Sequence, residues 1–154
     1  MKRGRLRILP VWGAVLLLGG CSSDVLAPSV LVVDGLRLEF GVSPSSIERQ
    51  ETLVATLEVE NLRDEGVELI SSCTALALIK AFRSGERVDL EGVVLGCGDA
   101  ITNFPIGAGE VLTQTYQIRA VRVDGMPVER GEYVLRAEFM VLELPDLEAS
   151  FRVN

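Results

Sequence analysis

From Leu36 onward, apolar and polar residues alternate with the two-residue period of a half-buried strand. The stretch "LRLEFGV" puts Leu36, Leu38, Phe40 and Val42 on one face and Arg37 and Glu39 on the other. "TLVATLEVEN", residues 52–61, does the same, with Leu53, Ala55, Leu57 and Val59 inward and Thr56, Glu58 and Glu60 outward. The polar cluster "NLRDEG" predicts a turn into "VELI". Farther on, "VLTQTYQIRAV" aligns Leu112, Tyr116, Ile118 and Ala120, and "YVLRAEFMV" aligns Tyr133, Leu135, Ala137, Phe139 and Val141. A last alternating piece, "LEASFRV", closes the chain.

One stretch is ambiguous. In "CTALALIKAFRSGERV" the alanines and leucines suit a helix that Gly85 would cap, whereas the surrounding strands favour a strand and an "RSGE" hairpin. With the hairpin taken, about seven or eight short strands separated by turns predict an all-β domain, an antiparallel β-sandwich of immunoglobulin-like type.

The first twenty residues follow a different pattern. "MKRGRLR" is basic, "ILPVWGAVLLL" is apolar and "GGC" is small and then reactive, which reads as a signal peptide. The apolar run from Ile8 to Leu18 is much shorter than the roughly 20 residues that cross a bilayer as a helix. Leu18-Gly19-Gly20-Cys21 resembles the lipobox of bacterial lipoproteins. That resemblance implies cleavage after Gly20, diacylglycerol on the Cys21 thiol and a mature chain that begins at Cys21. It also implies an exported, membrane-held protein, since several acyl chains anchor stably where one does not. Ser22 stands where an aspartate would be associated with inner-membrane retention, which leans toward an outer membrane where there is one. The chain thus divides into a signal peptide (1–20), a lipidated cysteine with a short tether (21–35) and the β domain (36–154).

Charge narrows the partners. The chain holds 15 basic and 22 acidic residues and no histidine. Four of the basic residues, Lys2, Arg3, Arg5 and Arg7, leave with the signal peptide; the remainder is 11 basic against 22 acidic, a formal charge of −11. Such a surface repels phosphate backbones, so no nucleic-acid partner is expected. The missing imidazole removes the commonest general base and metal ligand.

The domain resembles the proteinase-inhibitor-like family named for an intracellular proteinase inhibitor of a bacillus, the BsuPI type. The resemblance rests on the order of "LEVEN", a cysteine-containing strand, "SGERVDLEG", "FPIGAGEVLTQTY" and "VERGEYVLRAEF". Within it, Asn61, Gly109-Glu110 and Gly131-Glu132-Tyr133 match the family's strand-ending asparagine, glycine-glutamate turn and glycine-x-tyrosine. The family's aromatic-rich segment has no counterpart, the one tryptophan being Trp12. The resemblance implies a sandwich fold and an inhibitory alternative using an exposed loop, with "DGMPVERG" and "GCGDAITNFP" as candidates. Tyr133 resembles a tyrosine corner, a structural phenol bonded back across a connection.

With Cys21 assigned to lipid, Cys73 and Cys97 remain, and export favours a disulfide over two free buried thiols. The pair lies symmetrically about Gly85, so an "RSGE" hairpin would bring the two segments together. Other chemistry is sparse. Lys80 and Ser84 would form a nucleophile-base dyad only if they converged in a cleft. Glu58 and Glu60, and Glu132, Arg136 and Glu138, read as solvated faces. Asp124-Gly125 reads as a turn. No calcium loop, phosphate loop or nucleic-acid platform is found. The expected protein is a non-enzymatic envelope lipoprotein without catalytic, metal or cofactor residues. Its partners are membrane lipid through Cys21 and an unidentified protein, and it acts by binding or structural placement, with proteinase inhibition as the alternative.

Overall fold

The computed structural model describes residues 26–93, 96–97, 100–141 and 143–154. Cys21 and the signal peptide lie outside the described residues, so the structure does not address those two expectations. Among the described residues twelve strands follow in chain order: β1 (Ser29–Val33), β2 (Leu36–Ser43), β3 (Ser46–Ile47), β4 (Thr52–Asn61), β5 (Val67–Ser71) and β6 (Ala77–Arg83). They continue with β7 (Glu86–Val88), β8 (Leu90–Glu91), β9 (Thr102–Ile106), β10 (Val111–Arg122), β11 (Gly131–Phe139) and β12 (Leu147–Val153). No helix occurs among the described residues.

The strands build two five-stranded sheets, ordered β1-β2-β4-β10-β8 and β3-β12-β11-β6-β7, and a two-stranded sheet of β5 and β9. All pairings are antiparallel except the short parallel match of β3 with β12. Register follows the apolar pattern, because a one-residue slip would turn every apolar side chain outward. Leu38 faces Val59 and Phe40 faces Leu57 between β2 and β4. In the second sheet, Leu135 faces Ala81 across β6 and Ala149 across β12. The inward residues of both large sheets join one core, in which Leu38, Phe40, Leu53, Leu57 and Val59 meet Ile79, Leu135, Ala137 and Phe151. Leu69 and Ile106 tie the small sheet into the same cluster.

Residues 77–83 are strand, which resolves the ambiguous stretch. The "RSGE" hairpin is present, with Ser84 (φ 51°) and Gly85 (φ 84°) both left-handed, as a tight two-residue turn requires. Its register differs from the symmetric one, since Arg83 faces Glu86 and the ladder stops at Ala81 opposite Val88. Beyond it the chain crosses sheets, and Leu90 and Glu91 pair with β10. Cys73 and Cys97 are therefore not cross-strand partners of that hairpin.

The strands also start earlier than Leu36. Ser29–Val33 pair with β2 from Phe40 back to Leu36. The link is Asp34 (φ 48°) and Gly35 (φ 72°), a two-residue hairpin of the same left-handed kind. Residues 29–33 escape an alternation test because an edge strand exposes both faces. Residues 29–33, expected within the tether, are therefore strand.

Candidate functional site

Asn61 and Gly109-Glu110 are brought together, Tyr133 lies apart from them, and the roles of all three are architectural. Asn61 ends β4 fully buried. Its Nδ2 donates to the carbonyls of Glu65 (2.8 Å), Gly107 (3.1 Å) and Ile106 (3.2 Å), and its Oδ1 accepts from the Arg63 N–H (3.1 Å). Its backbone N–H donates to the Glu110 carbonyl (2.9 Å) and its carbonyl accepts from the Gly109 N–H (2.9 Å). The Glu110 carboxylate in turn accepts from the Gly107 N–H at 2.8 Å. One amide side chain thus closes both the 61–66 turn and the 107–110 turn, satisfying groups that would otherwise be buried without partners.

Tyr133 is buried and stacks on Phe151, with centroids 5.3 Å apart. Its hydroxyl donates to the Glu129 carbonyl at 2.8 Å, four residues upstream in the β10–β11 connection. That is tyrosine-corner geometry. Burial raises its pKa above the ordinary phenol value. Burial also raises the Tyr116 pKa, to about 12. Its hydroxyl lies 2.9 Å from Gln114 Oε1, which also accepts the Leu76 N–H at 3.2 Å, so β10 and the start of β6 are stitched together.

Cys73 is buried in the β5–β6 connection, and Cys97 lies in the segment between β8 and β9. Their Sγ atoms are 2.09 Å apart and their Cα atoms 5.0 Å, a disulfide-capable pair. The pair ties the β8–β9 crossing to the base of the small sheet.

Lys80 and Ser84 do not converge. Lys80 projects from β6 and is ion-paired with Glu138 on β11. Ser84 occupies the left-handed turn position. Around Lys80 the outer face of the second sheet is a lattice of paired charges. Arg136 bonds Glu148 (2.8 Å) and lies 4.6 Å from the Phe82 ring centroid, and Arg152 pairs with Glu132. Burial, then the Glu138 charge, raises the Asp146 carboxyl pKa at the end of this lattice. A recess of about 580 Å³ opens beside it, floored by Phe82 and Val134 and walled by Arg83, Arg136, Glu132 and Glu148. Glu58 and Glu60 point outward from β4, with Arg37 bridging Glu39 and Glu60. Among the described residues no group of three or more potential metal ligands occurs.

Of the two candidate loops, "DGMPVERG" is held by backbone bonds and by the Asp124 side chain. Asp124 Oδ1 accepts the Met126 N–H (3.0 Å), and the Gly125 N–H donates to the Arg122 carbonyl (2.8 Å). Val128 is buried and Met126 exposed at the tip. Part of "GCGDAITNFP" forms β9, while Gly98 and Asp99 lie outside the described residues.

The alternation test leaves one surface unassigned. Leu26, Val30, Leu31 and Val32 are exposed by 50, 47, 39 and 59%, in or just before edge strand β1. The apolar run "VLVV" followed by Asp34-Gly35 is the sequence signal that marks it.

No protein-family model matches the chain, and no curated protein matches it. Solved structures resemble it weakly. A β-glucosidase of Erythrobacter marinus gives a TM-score of 0.46 at 16% identity, over 76% of this chain and 16% of that one. A β-glucosidase of Listeria innocua in complex with glucose gives 0.44 at 16% identity, over 76% and 16%. The alkylpurine DNA glycosylase AlkC of Pseudomonas fluorescens gives 0.43 at 14% identity, over 73% and 28%. The chain spans only a small part of each, and nothing about its activity follows from them.

Proposed function

We propose that this protein is an exported lipoprotein, held on a membrane through acylated Cys21. Its all-β domain, read as an immunoglobulin-like β-sandwich, serves the cell envelope by binding another protein or by structural placement. The observation that carries the reading is Leu18-Gly19-Gly20-Cys21 at the end of a basic-then-apolar leader. The domain suits that role. Its conspicuous buried polar groups, Asn61 and Tyr133, bond backbone carbonyls, and Lys80 is engaged by Glu138 rather than Ser84. A charge of −11 on the mature chain disfavours nucleic acid and leaves protein and lipid as partners. The environment after export favours a closed Cys73–Cys97 bridge.

The test is Cys21→Ser followed by growth with a radioactive fatty acid and membrane fractionation. The wild type should be labelled and sediment with membranes. The variant should be unlabelled, and either uncleaved or released. Equal labelling of both would overturn the reading. Proteinase inhibition is a second reading, favoured by the exposed Met126 on a loop braced at Asp124. It predicts stoichiometric loss of a proteinase's activity on titration with the domain, and that loss should vanish in Met126→Asp.

A further inference from the structure

We propose that Leu26 and edge strand β1 seat the domain on the lipid surface that holds Cys21, so that the domain lies against the bilayer. This inference rests on the lipoprotein reading above. Among the described residues eleven large apolar side chains are exposed, and four of them, Leu26, Val30, Leu31 and Val32, fall within seven consecutive positions. That stretch is also the part of the domain nearest in sequence to the anchor.

Chain length makes contact unavoidable to sample. At 3.3 to 3.6 Å per residue, Leu26 can lie no more than about 18 Å from the Cys21 Cα, and Val32 no more than about 40 Å. The apolar edge is therefore confined near the interface without any binding of its own, and a modest contact suffices to hold it there. An apolar strip set at the boundary of headgroups and acyl chains gains by burial as interfacial segments do.

Charges beside the strip do not oppose this. On the outer face of the first sheet, Val30 is opposite Glu39 and Val32 opposite Arg37, and those two residues pair with each other. Near Leu26, Arg152 and Glu132 flank a small recess and are also paired. Arg37 also bridges Glu60, and Glu58 lies opposite Glu39 on β4, so the outer face beside the strip is net negative, which disfavours anionic lipid and leaves a zwitterionic surface. The bilayer is thus the occupant that the short chain length to Cys21 indicates.

The only tryptophan of the chain is Trp12, in the leader, so a tryptophan placed in the mature protein reports alone. Val32→Trp marks the proposed contact. Val123→Trp marks the opposite side of the first sheet, where its N–H donates to the Asp89 carbonyl beside β8. Each full-length variant is expressed, extracted from membranes and reconstituted in phosphatidylcholine vesicles with or without bromine on the acyl chains. Emission of Val32→Trp should be roughly halved by the brominated lipid, as for a side chain buried at the interface, and Val123→Trp should be unchanged. Adding Leu26→Asn and Val30→Thr to Val32→Trp should restore emission. Protein that floats with the vesicles but shows equal emission from both reporters would overturn this proposal alone. A cross-link between the β1 strands of two copies, with no quenching, would do the same. Protein that carries no lipid on Cys21 would overturn it together with the lipoprotein reading.

Discussion

The turn around Asn61 and the edge strand β1 both set a side chain against its polarity, in opposite senses. Asn61 is a polar residue in the dry core, and each polar atom of its amide finds a backbone partner. Val30 and Val32 are apolar residues left about half exposed to water. The first mismatch is resolved inside the fold, so it explains architecture. The second is left open by the fold, so it points outward to a partner. Buried polar groups here thus belong to structure, and the exposed apolar group is where function should be sought.

The difference can be broken first at Asn61. Asn61→Leu leaves the Arg63 N–H and the carbonyls of Glu65 and Gly107 without this partner, and should cost about 3 to 4 kcal/mol. Urea unfolding measures it, and a cost below about 1 kcal/mol would mean that water replaces the amide. Next is the cysteine pair. Replacing Cys73 and Cys97 together with alanine opens a loop of 24 residues' separation and should cost about 3 kcal/mol in the oxidised protein. The same change should cost little in protein already reduced.

Tyr133→Phe keeps the stacking on Phe151 and loses only the bond to the Glu129 carbonyl, and should cost about 1 to 1.5 kcal/mol. Tyr116 gives a pH dependence. Its folded pKa, about 12, lies above the ordinary phenol value of 10.0, so the neutral phenol is favoured by folding. That stability is fully present below pH 10 and lost as pH rises toward 12. Tyr133 shifts the same way. Tyr116→Phe should flatten the fall in thermal midpoint across this window, and an unchanged slope would show that Tyr116 does not govern it. The smallest effect belongs to the edge: Val30→Thr with Val32→Thr should alter stability by no more than about 0.5 kcal/mol, while loosening contact with lipid.

Much of the fold was legible because burial on one face imposes alternation. The expected 52–61 and 147–153 strands coincide with β4 and β12, and Leu36, Leu38, Phe40 and Val42 are all buried as their spacing predicts. What escaped were strands that alternation does not govern. β1 is exposed on both faces, β3 and β8 are two residues long, and β9 carries Pro105. The proximity of Cys73 and Cys97 was expected from symmetry about Gly85, but it comes from the crossing between sheets after Val88, which no local pattern encodes. Asn61 was visible only as the polar end of a strand, since its partners at 106 and 107 lie 45 and 46 residues away. The proposed role of Cys21 rests on its leader alone.

The central claim is the anchor, and mass spectrometry of the N-terminal peptide from membrane-extracted protein tests it most directly. The predicted result is a peptide that begins at Cys21 and carries the mass of a diacylglyceryl group. An unmodified Cys21 within a peptide still joined to Gly20 in the mature protein would contradict the account.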